Sequence, residues 1–206
     1  IKHRTHSEQA LRLMAILERM SAESAIRSGD WTLVQRSITA GNQNLTELEH
    51  RYGKHSDYQL ARATLLAVSC RLHLHQKEEG KATTAAKKAL AIWNQLLQTL
   101  KGEPRDRCLW AMARFRCDRA KSLMSAGKNQ EVVKEASSAV KLLTDLSKRP
   151  SLETDVQSLL ALAQNLESSA RRELNPKAIQ SSKVEPSRGL DRQELARLVR
   201  QASAGD

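Results

Sequence analysis

Between Glu79 and Leu100, apolar and small residues fall at Ala82, Ala86, Ala89, Trp93, Leu96 and Leu100. Residues three and four apart stack on one side of an α-helix, so these six make a single face. The same ladder recurs 50 residues later as Val132, Ala136, Ala139, Leu143 and Leu146, and 48 residues earlier as Val34, Ile38, Gly41, Leu45 and Leu48. In all three the middle rung is Gly41, Ala89 or Ala139, where neighbouring helices must approach closely. A second set repeats between these ladders. Ala15, Ala63, Ala113 and Ala163 correspond at intervals of 48, 50 and 50, as do Ala22, Cys70, Ala120 and Ala170, and Ile26, Leu74, Met124 and Leu174.

Two interleaved helical patterns of one period specify three helical hairpins and one closing helix. A single hairpin is too thin to bury its own faces, so stacking must supply the core. Composition agrees: aromatics are only 3% and the whole chain holds eight Gly and four Pro, against a hydrophobic share of 40%. The expected fold is all-α, a right-handed α-solenoid of antiparallel hairpins with about seven helices plus a short C-terminal one.

Local signals divide the chain accordingly. Thr5 and Glu8 have capping-box spacing, opening a first helix over about 7–27. Ser28-Gly29-Asp30 breaks it, and Asp30 caps a second helix from Trp31 to about Tyr52. Ser56 with Gln59 starts a third, apolar on more than one side as a central helix should be. Lys77–Gly80 leads into the fourth, Lys101–Pro104 into the fifth, Gly127-Lys128-Asn129 into the sixth with Asn129 as cap, and Ser151 caps a seventh reaching Leu174. The repeats are thus about 7–52, 56–100 and 104–148, with a capping helix over 151–174.

From 175 to about 190 the sequence is polar, holds two prolines and lacks helical periodicity, so a flexible linker is expected. Leu190, Asp191, Glu194 and Leu195 then combine a capping box with a hydrophobic staple. The helix they open, about 191–202, has a narrow apolar edge of Leu195, Leu198 and Val199. Alone it is too short to be stable in water. With Leu195 and Leu198 as anchors, it is expected either to cover the array's own groove or to engage another subunit.

Ala120, Leu123, Gly127, Val132, Ala136 and Ala139 resemble a tetratricopeptide repeat: small residues on a first helix, a turn glycine, then spaced small residues on a second. Ala22, Gly29, Asp30, Trp31, Val34, Ile38 and Gly41 form the next copy, whereas the middle one keeps Cys70, Ala82, Ala86 and Ala89 without a turn glycine. The resemblance spans roughly Ser7 to Leu174. It departs from the family in period, 48–50 residues against about 34, or some two extra turns per helix.

The resemblance implies a protein-binding groove lined by the first helix of each hairpin. Carried over by position, its residues are Arg19, Glu23 and Arg27, then Arg71 and His75, then Arg114 and Lys121, and Arg171 on the closing helix. With net charge +11, the expected ligand is an acidic peptide or helix of a partner. The Lys–Asn carboxylate clamp of some such repeats is replaced here by Arg19 and Glu23. The alternative is a basic helical-repeat protein that associates with nucleic acid or a ribonucleoprotein. Arg105, Arg107, Arg114, Arg116, Arg119 and Lys121 crowd one helix, and phosphate contact needs little else. Against it, aromatics for base stacking are few, and Arg116 and Arg119 fall off the Ala113–Cys117–Ala120 face, as solvated residues would.

No P-loop, nucleophile elbow or dinucleotide-binding glycine pattern occurs, so neither catalysis nor a cofactor is expected. Cys70 with His73 and His3 with His6 have helical ligand spacing, but neither has the second pair a structural zinc site needs, and no metal is expected. Cys70, Cys108 and Cys117 sit inside apolar helical patterns, as reduced core thiols of a cytoplasmic protein do. Apolar runs are too short to span a membrane. The chain opens at Ile1, which leaves an upstream signal or anchor open.

Overall fold

The computed structural model describes residues 2–149 and 153–175, with side chains from Ser7 onward and, in the last helix, from Asp155. The expected linker, the 191–202 helix with Leu195 and Leu198, and the Ser151 cap lie outside the described residues, as do the side chains of His3, Thr5 and His6. The described residues form seven helices: α1 Lys2–Ser28, α2 Trp31–Tyr52, α3 Ser56–His75, α4 Glu79–Thr99, α5 Gly102–Ser125, α6 Asn129–Leu146 and α7 Glu153–Leu174. Among the described residues there is no strand. No helix there is long and apolar enough to cross a membrane.

Consecutive helices pair as α1/α2, α3/α4 and α5/α6, α7 lies along α6, and the odd-numbered helices also touch in sequence, α1 to α3 to α5 to α7. This is an all-α helical repeat. The ladders explain it. Val34, Leu45, Leu48, Ala82, Ala86, Ala89, Trp93, Val132, Ala136, Ala139, Leu143 and Leu146 are at most 2% exposed. Ala15, Ala63, Ala113 and Ala163 on the odd helices are equally enclosed, as are Ala22, Cys70, Ala120 and Ala170. A small side chain, alanine or cysteine, at these rungs lets two backbones approach until the larger rungs above and below interdigitate. At Gly41 the fit is tightest, since a Cβ there would meet Leu65 Cδ1 at 2.7 Å. Trp93, the largest fully buried side chain, packs against Phe115 with ring centroids 5.4 Å apart, tying the second hairpin to the third.

The three hairpin turns are one structure built three times. Gly29, Lys77 and Gly127 all have left-handed φ, at 78°, 59° and 70°. In each, the next residue's N–H returns five residues: Asp30 to Ala25 at 2.9 Å, Glu78 to His73 at 2.8 Å, Lys128 to Leu123 at 2.9 Å. The middle copy, without a turn glycine in its sequence, keeps the turn by forcing Lys77 into a conformation that crowds its Cβ. Packing of the flanking helices outweighs that local cost. Asp30 caps α2 as expected, accepting from the Leu33 N–H at 2.9 Å. Other cap expectations shift: Ser56 and Asn129 are the first residues of their helices, not the caps, and Thr5 lies inside α1.

Burial raises the thiols of Cys70, Cys108 and Cys117 to about 11 each, all three being free and enclosed. Their folded values exceed the unfolded one, so their share of stability is complete below about pH 8.5 and declines as pH rises toward 11. Urea midpoints should therefore be flat across neutral pH and fall between pH 9 and 11. The fall should shrink when all three are replaced by Ala. Relieving Lys77 should help: Lys77→Gly is expected to raise stability by about 0.5–1 kcal/mol. Filling a crossing should do the reverse. Ala89→Leu is expected to cost about 1–3 kcal/mol in urea unfolding, whereas Leu at exposed Ala91 should be near neutral.

Candidate partner-binding cleft

Because consecutive helices are antiparallel, the odd-numbered ones run the same way and present their N-terminal halves together. There they enclose a cleft of about 680 Å³. Arg12, Ile16 and Arg19 come from α1, Tyr58, Leu60 and Ala61 from α3, Arg107, Trp110 and Ala111 from α5, and Asp155 from the first turn of α7. The floor is mostly aliphatic and aromatic. Its α1 wall does not stop at Ile16. Leu13, Leu17 and Met20 continue it at i, i+3, i+4 and i+7 spacing, and the four are 59%, 44%, 62% and 54% exposed in chain order. The helix thus buries one apolar face, through Ala15, Ala22 and Ala25, and leaves a second one open.

Tyr58 anchors this wall. Its hydroxyl donates to Glu8 Oε1 at 2.5 Å, and the Arg12 guanidinium lies 5.6 Å from its ring centroid. Burial first, then the Glu8 carboxylate, pushes Tyr58 up to about 12, so it stays a neutral donor at any physiological pH. Around the rim, Arg12 pairs with Asp57, Arg19 with Glu23 at 3.1 Å and Arg107 with Glu103 at 3.6 Å. These are partly exposed ion pairs, individually worth about 0–1 kcal/mol. A ligand carboxylate can replace one partner at little cost.

Beyond the cleft, between α1, α3 and α5, is a smaller cavity of about 80 Å³ that shares Arg19, Thr64, Trp110 and Ala111 with it. Arg71 and Arg114 meet there. Arg71 is paired with Asp118; burial above all, then the charge of Arg114, lowers its proton affinity. Arg114 lies over the Trp110 ring, 5.2 Å from its centroid, without a carboxylate partner among the described residues.

Of the eight groove residues expected from sequence, the structure brings Arg19, Glu23, Arg71 and Arg114 together. The other four line neither cavity. Arg27 and Lys121 are exposed, His75 stacks on Trp31 with centroids 4.0 Å apart, and Arg171 pairs with Glu167 at 2.6 Å. Sequence reasoning missed Ile16, Leu60, Arg107 and Trp110. A signal for the α1 wall was available, because Leu13, Ile16, Leu17 and Met20 form a second stripe that the repeat alignment leaves unused.

Two members of the arginine crowd on α5, Arg116 and Arg119, are not the solvated residues the sequence suggested. Arg116 and Arg119 are half-buried and donate at 2.6 Å to opposite oxygens of Glu135 on α6, itself only 5% exposed. They fall off the alanine face because they face the sixth helix through this fork. Arg105 adds a longer pair to Asp145 at 3.9 Å. Nor do Cys70 and His73 act as a pair: His73 Nδ1 lies 2.7 Å from Glu78, and no group of three or more His, Cys, Asp and Glu suited to a metal occurs among the described residues. Removing the acceptor should be costly. Glu135→Gln leaves two guanidinium groups without a counter-charge and is expected to lose roughly 3 kcal/mol in chemical unfolding. Arg171→Ala, which breaks an exposed pair, should lose under about 1 kcal/mol.

Comparison of the chain with protein-family models gives no match, and the searches of curated proteins and of solved structures give none either. What the cleft can do therefore has to be argued from its own chemistry.

Proposed function

We propose that this chain is a non-enzymatic protein-interaction scaffold, a long-period tetratricopeptide-like array that holds an acidic amphipathic helix of a partner in the odd-helix cleft. One observation carries the reading: a cleft with an apolar floor runs without a break onto four exposed apolar side chains of α1, within a rim of arginines. Helix-in-groove recognition needs that combination of a stripe to bury and cations to set register. The repeated left-handed turns and the buried small-residue rungs support the tetratricopeptide likeness. Nucleic acid is the weaker reading, because most arginines of α5 already have carboxylate partners within the array.

The test is selection of helical peptides on the full chain, followed by affinity measurement. Selected peptides are expected to carry large aliphatic residues at i, i+3 or i+4 and i+7, flanked by Asp or Glu. Ile16→Asp combined with Arg107→Glu should weaken them at least tenfold without moving the thermal midpoint, since both positions are exposed. Tighter binding of a 30-nucleotide RNA than of any peptide, unaffected by those substitutions, would reverse the assignment.

A further inference from the structure

The open α1 stripe is matched by something in the same chain. Beyond α7 the sequence reaches a segment, residues 190–202, whose apolar edge is Leu195, Leu198 and Val199. That is the i, i+3, i+4 pattern of Leu13, Ile16 and Leu17. In the segment Asp191 and Glu194 are interleaved with Arg192, Arg197 and Arg200. The cleft offers both counter-charges, Arg12 and Arg19 on its α1 side and Asp57 and Asp155 across it. Asp155 has no counter-ion among the described residues.

Reach permits the match. Asp155 stands near the start of α7 and Leu174 at its end, about 28 Å apart at the rise of an α-helix. Residues 175–189 can span up to roughly 50 Å of extended chain, ample to return along α7. The segment also follows a helix that reaches the cleft, since Asp155 of α7 lines it. Leu174, the last of the Ile26–Leu74–Met124 series, is 46% exposed, whereas the first three are partly covered by the structure around them.

We infer that residues 190–202 occupy the odd-helix cleft of their own chain, seating Leu195 and Leu198 against Ile16 and Leu17, and compete there with a partner helix. This rests on the cleft being a helix-binding site. A partner must then displace a tethered competitor whose effective concentration is set by the linker, on the order of millimolar for a short one. Such a competitor raises the apparent Kd and favours partners with a longer stripe or more acid than the tail.

The test uses the full chain in three forms: wild type, L195D/L198D, and L195D/L198D with Leu17→Asp added. The probe is a fluorescein-labelled synthetic peptide of residues 187–204, read by anisotropy beside an acidic peptide from the selection above. The tail peptide is expected to bind L195D/L198D at least tenfold tighter than wild type, and Leu17→Asp should remove at least tenfold of that binding. Leu17 is 62% exposed, so the loss would not reflect unfolding. Equal binding to wild type and L195D/L198D would overturn self-occupancy. So would a wild-type dimer, seen by sedimentation, that L195D/L198D dissociates, since the tail would then sit on a second copy. If the acidic peptide binds and the tail peptide does not, the competitor falls and the scaffold stands. If neither binds, both fall.

Discussion

The close approach of helices at alanine and glycine rungs is the contact on which everything else depends. Hydrophobic burial scales with area, but a helix pair gains its area only if its axes can come within about 8–10 Å. Gly41, Ala89 and Ala139 set that distance inside the even helices, and Ala15, Ala63, Ala113 and Ala163 set it on the odd ones. Once the spacing is set, Leu45, Trp93 and Leu143 fall at equivalent positions of successive hairpins and are each at most 1% exposed. The long period follows from the same logic. Two extra turns per helix add rungs to each ladder, so every hairpin interface is larger and fewer hairpins suffice for a core.

The same spacing builds the cleft. Odd helices are held side by side by small residues, and Tyr58 and Trp110 line the cleft among them. Tyr58 is tolerated because Glu8 accepts its hydroxyl, and Trp110 because Arg114 covers its face. Buried polar groups with partners and an aromatic under a guanidinium are inexpensive in this setting. Every residue that lines the cleft belongs to a helix, so the opening is built without an insertion or irregular loop.

Periodicity made the helices legible, because a repeated 3-4 pattern constrains both type and phase. All seven helices were readable from it, as were the buried rungs, although Leu100 falls just past α4 and Leu174 is exposed. The turn at Lys77 was not, since no local residue type marks a left-handed lysine; only its place 48 residues after Gly29 and 50 before Gly127 does. Fine cap positions failed for a different reason. Ser56 and Asn129 have capping side chains, but no side-chain hydrogen bond forms at those caps, since helix packing has already fixed where each chain turns. The cleft was legible only in part. Arg19, Arg71 and Arg114 follow from repeat position, whereas Trp110 and Arg107 depend on how α5 is rotated against α3, which spacing alone leaves open.

Charge shows how far composition can mislead. A net +11 suggests a surface in search of anions, yet three arginines of α5 are spent on cohesion with α6: Arg116 and Arg119 on Glu135, and Arg105 on Asp145. The deciding variable is the location of the acceptor. Glu135 is enclosed, so its fork is held in low dielectric and resists exchange. The carboxylates at the cleft rim are wetter, with Asp57 65% exposed on its side chain, and their pairs are screened and exchangeable. The same residue type thus serves as a fixed strut on one face of α5 and as an exchangeable contact on the other. In the proposed scaffold, specificity at such a rim would come from how many weak pairs a ligand replaces at once, while the apolar stripe beneath would supply the affinity.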